Sequence, residues 1–283
     1  MANNVEKWDL VIESKRKLLD LQLREVIRYR DLVFLFVKRD FVTQFKQTLL
    51  GPLWFVINPI FSTVMYTFVF GNLAQIGTDG IPSLLFYYSG TMMWTFFTGC
   101  FNDASNVFVN NSGLFGKVYF PRFTVPISNI ISNVIKISVQ FAMLMIFFVF
   151  YLLTTDSLHP SWKALAFPFL FFWLAASSTG MGMIISSLTT KYRDLKHLVS
   201  FALGLAMYAT PVVYPISQMP QSFQWIHYIN PVSAPIELFR TWFFGSGSVS
   251  VEMIASSVGI TVFFLFIGLI LFNQNERNFI DVV

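Results

Sequence analysis

Apolar residues in this chain come in long unbroken blocks, not in the alternating or 3.6-residue patterns of a half-buried strand or surface helix. No charged side chain occurs between Lys46 and Asp79, and residues 164–190, 197–236 and 253–275 are equally free of charge. A hydrocarbon layer about 30 Å thick is crossed by a helix of roughly 20 mainly apolar residues. The pattern therefore predicts an all-α polytopic membrane protein. Its six transmembrane helices fall over about 52–71, 84–102, 124–153, 164–188, 198–213 and 253–273.

The distribution of basic residues orients these helices. Lys and Arg are retained in cytoplasmic loops. Ten of the 19 precede residue 52, two (Lys117 and Arg122) lie between the second and third helices, and three (Lys191, Arg193 and Lys196) lie between the fourth and fifth. Lys163 and Arg240 alone fall on the other face, and Lys136 lies within the membrane. Both termini are thus predicted to be cytoplasmic. The chain divides into a cytoplasmic segment (1–48), a transmembrane domain (49–273) and a short tail (274–283).

Three segments depart from plain membrane-helix composition. Between 215 and 245 an apolar stretch is broken by Pro215, Pro220, Pro231 and Pro235. Irregular backbone at membrane depth is tolerated only where protein or a water-filled cavity satisfies it. This region is predicted to hold re-entrant helices, with an ordinary extracytoplasmic loop as the alternative. Glu237 and Arg240 lie there at helical i, i+3 spacing, either as a latch or as a mutually satisfied pair. From Phe34 to Gln47 a wheel places Phe34, Val37, Phe41 and Phe45 on one arc, with polar residues over most of the rest and Leu35, Phe36 and Val42 as exceptions. That arrangement predicts an amphipathic helix in the interface plane. In the third helix Asn129, Asn133, Lys136 and Gln140 share one face. An intramembrane cation costs about 2.5–3.5 kcal/mol on insertion scales and points to a cavity, partner or pathway. Pairing of Lys136 with Asp103 would serve as well.

Composition narrows the chemistry. The chain is 55% hydrophobic and 12% charged, with a mean hydropathy of +0.60, against roughly 25% charged in soluble domains. The first 30 residues are charged and hold no apolar signal-peptide core. Cys100 is the sole cysteine, and His159, His197 and His227 have no ligand-like spacing, so no metal is expected. The Gly116–Lys117 pair fails as a phosphate loop: Asn111 replaces the first glycine and Val118 the Ser or Thr that holds magnesium. A membrane acyl- or glycosyltransferase would need clustered His or acidic residues at the membrane face, which are absent. The chain is expected to be a non-enzymatic translocation subunit energised from outside, with no nucleic-acid partner.

A series of short motifs occurs in order. These are Tyr29-Arg30-Asp31-Leu32, Arg39-Asp40, Phe45-Lys46-Gln47-Thr48, Leu50-Gly51-Pro52-Leu53-Trp54 and Asn58-Pro59. Lys117-Val118-Tyr119-Phe120-Pro121-Arg122 is the sharpest. Tyr192-Arg193-Asp194, Pro211-Val212-Val213-Tyr214-Pro215, Asn230-Pro231 and Glu276-Arg277-Asn278-Phe279-Ile280-Asp281 follow. In these slots the chain resembles the permeases of ABC exporters for polysaccharides and polyol phosphates, the O-antigen, teichoic-acid and capsule exporters. The resemblance runs from about Trp8 to the C-terminus. It departs at Phe45, where the family more often has Tyr, and at Asn58, where Gln is common.

The resemblance implies a homodimer in the bacterial inner membrane, docked on two copies of a cytoplasmic ATPase that binds ATP and magnesium. The substrate would be a glycan on a polyprenyl diphosphate lipid. Coupling contacts would fall on Arg39, Asp40, Lys117, Tyr119, Phe120 and Arg122. Arg30, Lys38 and Lys46 would meet the lipid diphosphate, although plain attraction to anionic membrane lipids accounts for much of their charge. Tyr66, Tyr87, Trp94, Asn133 and Lys136 would line the channel, with Phe70, Tyr88 and Phe97 as further candidates, unless these rings face lipid. Tyr214, Pro215, Glu237 and Arg240 would form the outer gate. Efflux of drugs or small lipids by an ABC-type permease is the alternative function.

Overall fold

The computed structural model describes residues 23–46, 48–115, 118, 120–189, 192 and 194–282, with side chains given except at 23–24 and 276–282. Lys117, Tyr119, Lys191 and Arg193 lie outside the described residues. Among the described residues there are helices and turns and no strand. Twelve α-helices follow one another among these residues: α1 (Leu23–Arg28), α2 (Arg30–Phe45), α3 (Trp54–Tyr66), α4 (Ser83–Ser105), α5 (Val107–Asn110) and α6 (Ser112–Phe115), then α7 (Thr124–Thr154), α8 (Phe167–Thr189), α9 (Leu195–Tyr208), α10 (Trp225–Ile229), α11 (Ser233–Phe244) and α12 (Val251–Val282).

Among the described residues, four stretches are both long and apolar enough to cross a membrane: Gly51–Leu73, Thr124–Thr154, Trp162–Thr189 and Val251–Asn275. The first joins α3 to a 3-10 turn before it and a π-helical turn (Thr67–Leu73) after it. α4, with 23 residues, is about 34 Å long at 1.5 Å per residue. It tolerates Ser, Thr, Tyr, Asn and Asp because it is the central helix, packed against α3, α7, α8 and α11. Leu85, Tyr87, Tyr88, Met92 and Met93 are wholly buried there. The tightest pairing joins α8 to α12. A Cβ on Gly180 would lie 2.6 Å from the Leu265 Cα, and one on Gly268 would run into the Gly180 carbonyl. Without side chains at these positions the two backbones can touch.

The helix expected over 198–213 ends at Tyr208, and its 14 residues reach only about 21 Å. The early stop has a local cause. Pro211 disfavours helical conformation at Thr210, so the chain leaves the helix there. The carbonyls freed by this break are met from later in the chain. Asn230 donates to the Thr210 Oγ1 at 2.7 Å and the Ala209 carbonyl at 3.4 Å, and Arg240 donates to the Pro211 and Val212 carbonyls.

The interface-helix arc is rotated from its expected position. Phe34 is 63% exposed, and the inner face of α2 is made by Val33, Phe36 and Val37. Apolar residues occur all round this helix, so its own sequence does not choose a face. Tertiary packing does: Phe36 meets Phe120 edge-on at 5.6 Å and α2 lies along α7. Phe41 and Phe45 instead pack on Phe55 at the start of α3.

Candidate functional site

A groove of about 340 Å³ lies between α3, α4 and α7, with Gln44 of α2 and Met207 of α9 at its margins. Each wall follows from helical spacing. On α7, Asn133, Lys136, Ile137 and Gln140 sit three to four residues apart and face one way. On α4, Thr91, Thr95 and Gly99 form an i, i+4, i+8 row beside Trp94. On α3, Asn58, Ser62 and Tyr66 repeat the same interval. The lining is thus aromatic and amide- or hydroxyl-bearing, with Lys136 its one charged side chain.

The groove floor is fixed by hydrogen bonds. Asn133 donates to the Asp103 carboxylate at 2.7 Å and to the Asn129 carbonyl at 2.9 Å. Tyr88 donates to the Gln140 backbone carbonyl at 3.2 Å, and the Tyr66 hydroxyl meets the Met207 sulfur at 3.7 Å. Trp94 stacks on Phe97 with centroids 5.5 Å apart. Lys136 makes no hydrogen bond or ion pair within 4.0 Å to any described residue, and the nearby Asp103 carboxylate accepts from Asn133 through one of its two oxygens. The Gln140 side chain is 5% exposed, yet its Oε1 has no hydrogen-bond partner.

Of the five expected lining residues, Tyr66, Trp94, Asn133 and Lys136 meet in this groove. Tyr87 does not: it is wholly buried, against Phe86, and its hydroxyl has no partner. The α4 row adds Thr91, Thr95 and Gly99 to the expected lining, and their four-residue spacing in a membrane helix is the sequence signal for it.

A second constellation lies around α11. Arg240 and Glu237 are each 1% exposed. Arg240 donates to Glu237 Oε1 at 3.0 Å and to the carbonyls of Pro211 (2.6 Å), Val212 (3.1 Å) and Phe86 (3.3 Å). Its guanidinium sits 3.6 Å from the Phe86 ring centroid, within cation–π range. Glu237 Oε2 accepts from the Ser248 amide at 3.2 Å. The pair is therefore a buried brace tying α11 to α4 and to the broken backbone after α9. Gly90 makes room for it, since a Cβ there would lie 2.8 Å from the Val212 carbonyl oxygen and 2.9 Å from the guanidinium. Tyr214, part-exposed, and buried Pro215 follow directly on that segment.

The third group lies near α2. Arg39 pairs with Asp40 at 2.9 Å and donates to Asn111 at 3.4 Å. Phe120 and Arg122 are buried, Arg122 over the Phe115 ring at 5.3 Å. Phe120 joins Phe36, Val107, Phe108, Phe115 and Phe272 in one apolar cluster. The side chains this segment presents outward include Val109 and Val118. Arg30, Lys38 and Lys46 are all exposed, but Arg30 and Lys46 stand about 24 Å apart along the helix axis. The structure does not gather them into one anion site.

The ABC-2 type transporter family model matches residues 31–244. The O-antigen export system permease protein RfbA of Klebsiella pneumoniae is 26% identical over 254 residues, covering 89% of this chain and 95% of that protein. The protein of the same name from Myxococcus xanthus is 22% identical, covering 92% and 98%. The polysialic acid transport protein KpsM of Escherichia coli is 22% identical, covering 84% and 91%.

Proposed function

This chain belongs to the ABC-2 type transporter family, and from that premise we propose that it is the membrane permease of an ATP-driven polysaccharide exporter. The observation that carries the glycan reading is the groove. Rings such as Trp94 and Tyr66 offer flat apolar faces to sugar C–H surfaces, and Asn, Gln, Ser and Thr side chains offer hydrogen bonds without strong charge. A lining of this kind holds a polymer while letting it slide, as sequence-tolerant stacking does in nucleic-acid channels. Relatives named for O-antigen export and polysialic acid transport, matched along nearly their whole length, support the same reading.

The permease is a homodimer in the bacterial inner membrane with both termini cytoplasmic, since basic residues concentrate on the side of α2 and the α6–α7 connection. Each chain contributes six crossings, with α4 enclosed by the others and α9 short, and the 215–245 region re-enters the outer leaflet as the gate. The substrate is a glycan on a polyprenyl diphosphate. ATP and magnesium bind to a separate cytoplasmic subunit, two copies per dimer, whose stroke is received at the Phe36–Phe120 cluster through exposed Val109 and Val118.

Deleting the gene and fractionating lipid-linked glycan tests this. Polymer should collect on the cytoplasmic face of the inner membrane, and the wild-type gene should restore its export. Unchanged surface glycan, in a strain with no second exporter, overturns the reading in favour of small-molecule efflux.

A further inference from the structure

Among the described lining residues of the groove, the Lys136 ammonium is the one charge and the Gln140 Oε1 the one buried polar atom without a partner. Lys136 stands at mid-length of α7, without a hydrogen bond or ion pair to any described residue. The other groove-lining side chains carry no charge, and Asp103, a nearby carboxylate outside the lining, is bound by Asn133 at one oxygen and makes no ion pair with Lys136 within 4.0 Å. Gln140, one turn further along the same face, is buried with an acceptor that no donor reaches. A buried polar atom without a partner is costly and calls for one.

From this we infer that the Lys136–Gln140 end of the groove is a subsite for an acidic group of the transported molecule, a carboxylate or phosphate oxygen on Lys136 with a neighbouring hydroxyl donating to Gln140. The inference rests on the polysaccharide reading above. The complementarity is mutual: an anionic oxygen neutralises the intramembrane cation, and a sugar hydroxyl supplies the proton that Gln140 lacks. Asn133 and Asp103 hold α4 and α7 in the register that presents both groups. The acidic group has two chemical sources, an acid-bearing sugar of the polymer or the diphosphate of a lipid carrier.

The permease with its ATPase subunit, in lipid nanodiscs, would be tested by scintillation proximity binding of tritiated hexagalacturonate, maltohexaose and inorganic pyrophosphate. The wild type is expected to bind at least one anionic probe about tenfold or more tighter than maltohexaose. Lys136→Met should abolish that preference, bringing the anionic probes to within about twofold of maltohexaose, and Lys136→Arg should retain it. Gln140→Leu should weaken hexagalacturonate and maltohexaose alike but not pyrophosphate. Preference for hexagalacturonate assigns the acid to the polymer, and for pyrophosphate alone to the carrier. Equal binding of all three probes, or a preference that survives Lys136→Met, overturns the subsite while the polysaccharide reading stands. Absence of binding by either hexasaccharide and by pyrophosphate overturns both.

Discussion

Replacing Arg240 with Met should be among the most damaging single changes in this chain. The substitution keeps most of the apolar stem and removes the guanidinium. Glu237 is then left as a buried carboxylate with the Ser248 amide as its remaining partner, a situation that costs about 3–5 kcal/mol. The Pro211 and Val212 carbonyls lose their donor as well, at about 1–3 kcal/mol for each orphaned group. These losses share one network and do not add in full, so about 5 kcal/mol is the working value. For 150–250 residues each kcal/mol shifts the melting temperature by roughly 2–4 °C, which gives a drop of about 10–20 °C. Glu237→Gln should cost less, about 2 kcal/mol, because Arg240 keeps three carbonyl acceptors and the Phe86 face. The double variant Glu237→Gln/Arg240→Met should be more stable than Arg240→Met alone, since no carboxylate is stranded. Fluorescence-detected size exclusion after heating, at one heating rate and in one detergent, measures all three. A double variant no better than Arg240→Met, or an Arg240→Met protein within about 2 °C of wild type, would refute the reasoning.

Gly90→Val should abolish folded, membrane-inserted protein, since its Cβ would meet the Val212 carbonyl and the Arg240 guanidinium; a monodisperse elution peak would contradict this. In a Cys100→Ala background, cysteines at exposed Asn58 and Thr95 should react with a water-soluble maleimide, and one at buried Tyr87 should not; equal labelling of all three would mean the groove is not open to water. Phe36→Ala should cost about 3–5 kcal/mol through the cavity left among Phe108, Phe115 and Phe120, read as a lowered melting temperature. Val109→Asp with Val118→Asp should leave that temperature within a few degrees yet abolish co-purification of the ATPase subunit, and retained co-purification would move the docking surface elsewhere.

Most of the helices were legible in the sequence. Charge-free blocks gave their positions to within a few residues, because burying an unpaired charge in hydrocarbon is costly enough to be avoided along the whole chain. The polar face of the third predicted helix was legible too, since amide and ammonium groups at spacing 4, 3 and 4 share one side of any helix. The family was readable from ordered motifs, although each motif is weak alone.

Other features were settled by packing. Apolar residues surround α2 on every side, so only its contact with α7 and Phe120 turned Val33 and Phe36 inward and Phe34 outward. Tyr87 and Trp94 both sit on α4, seven residues apart, and periodicity cannot say that one is entombed while the other lines a groove; the neighbours contributed by α3 and α7 decide that. The spacing of Glu237 and Arg240 announced a pair but not its burial. That follows from a helix break some 28 residues before Arg240, where the buried Pro211 and Val212 carbonyls needed a donor. Local sequence sets which bonds a segment lacks, and the tertiary fold determines which distant side chain supplies them, because that supplier must be brought within about 3 Å by the packing of other helices.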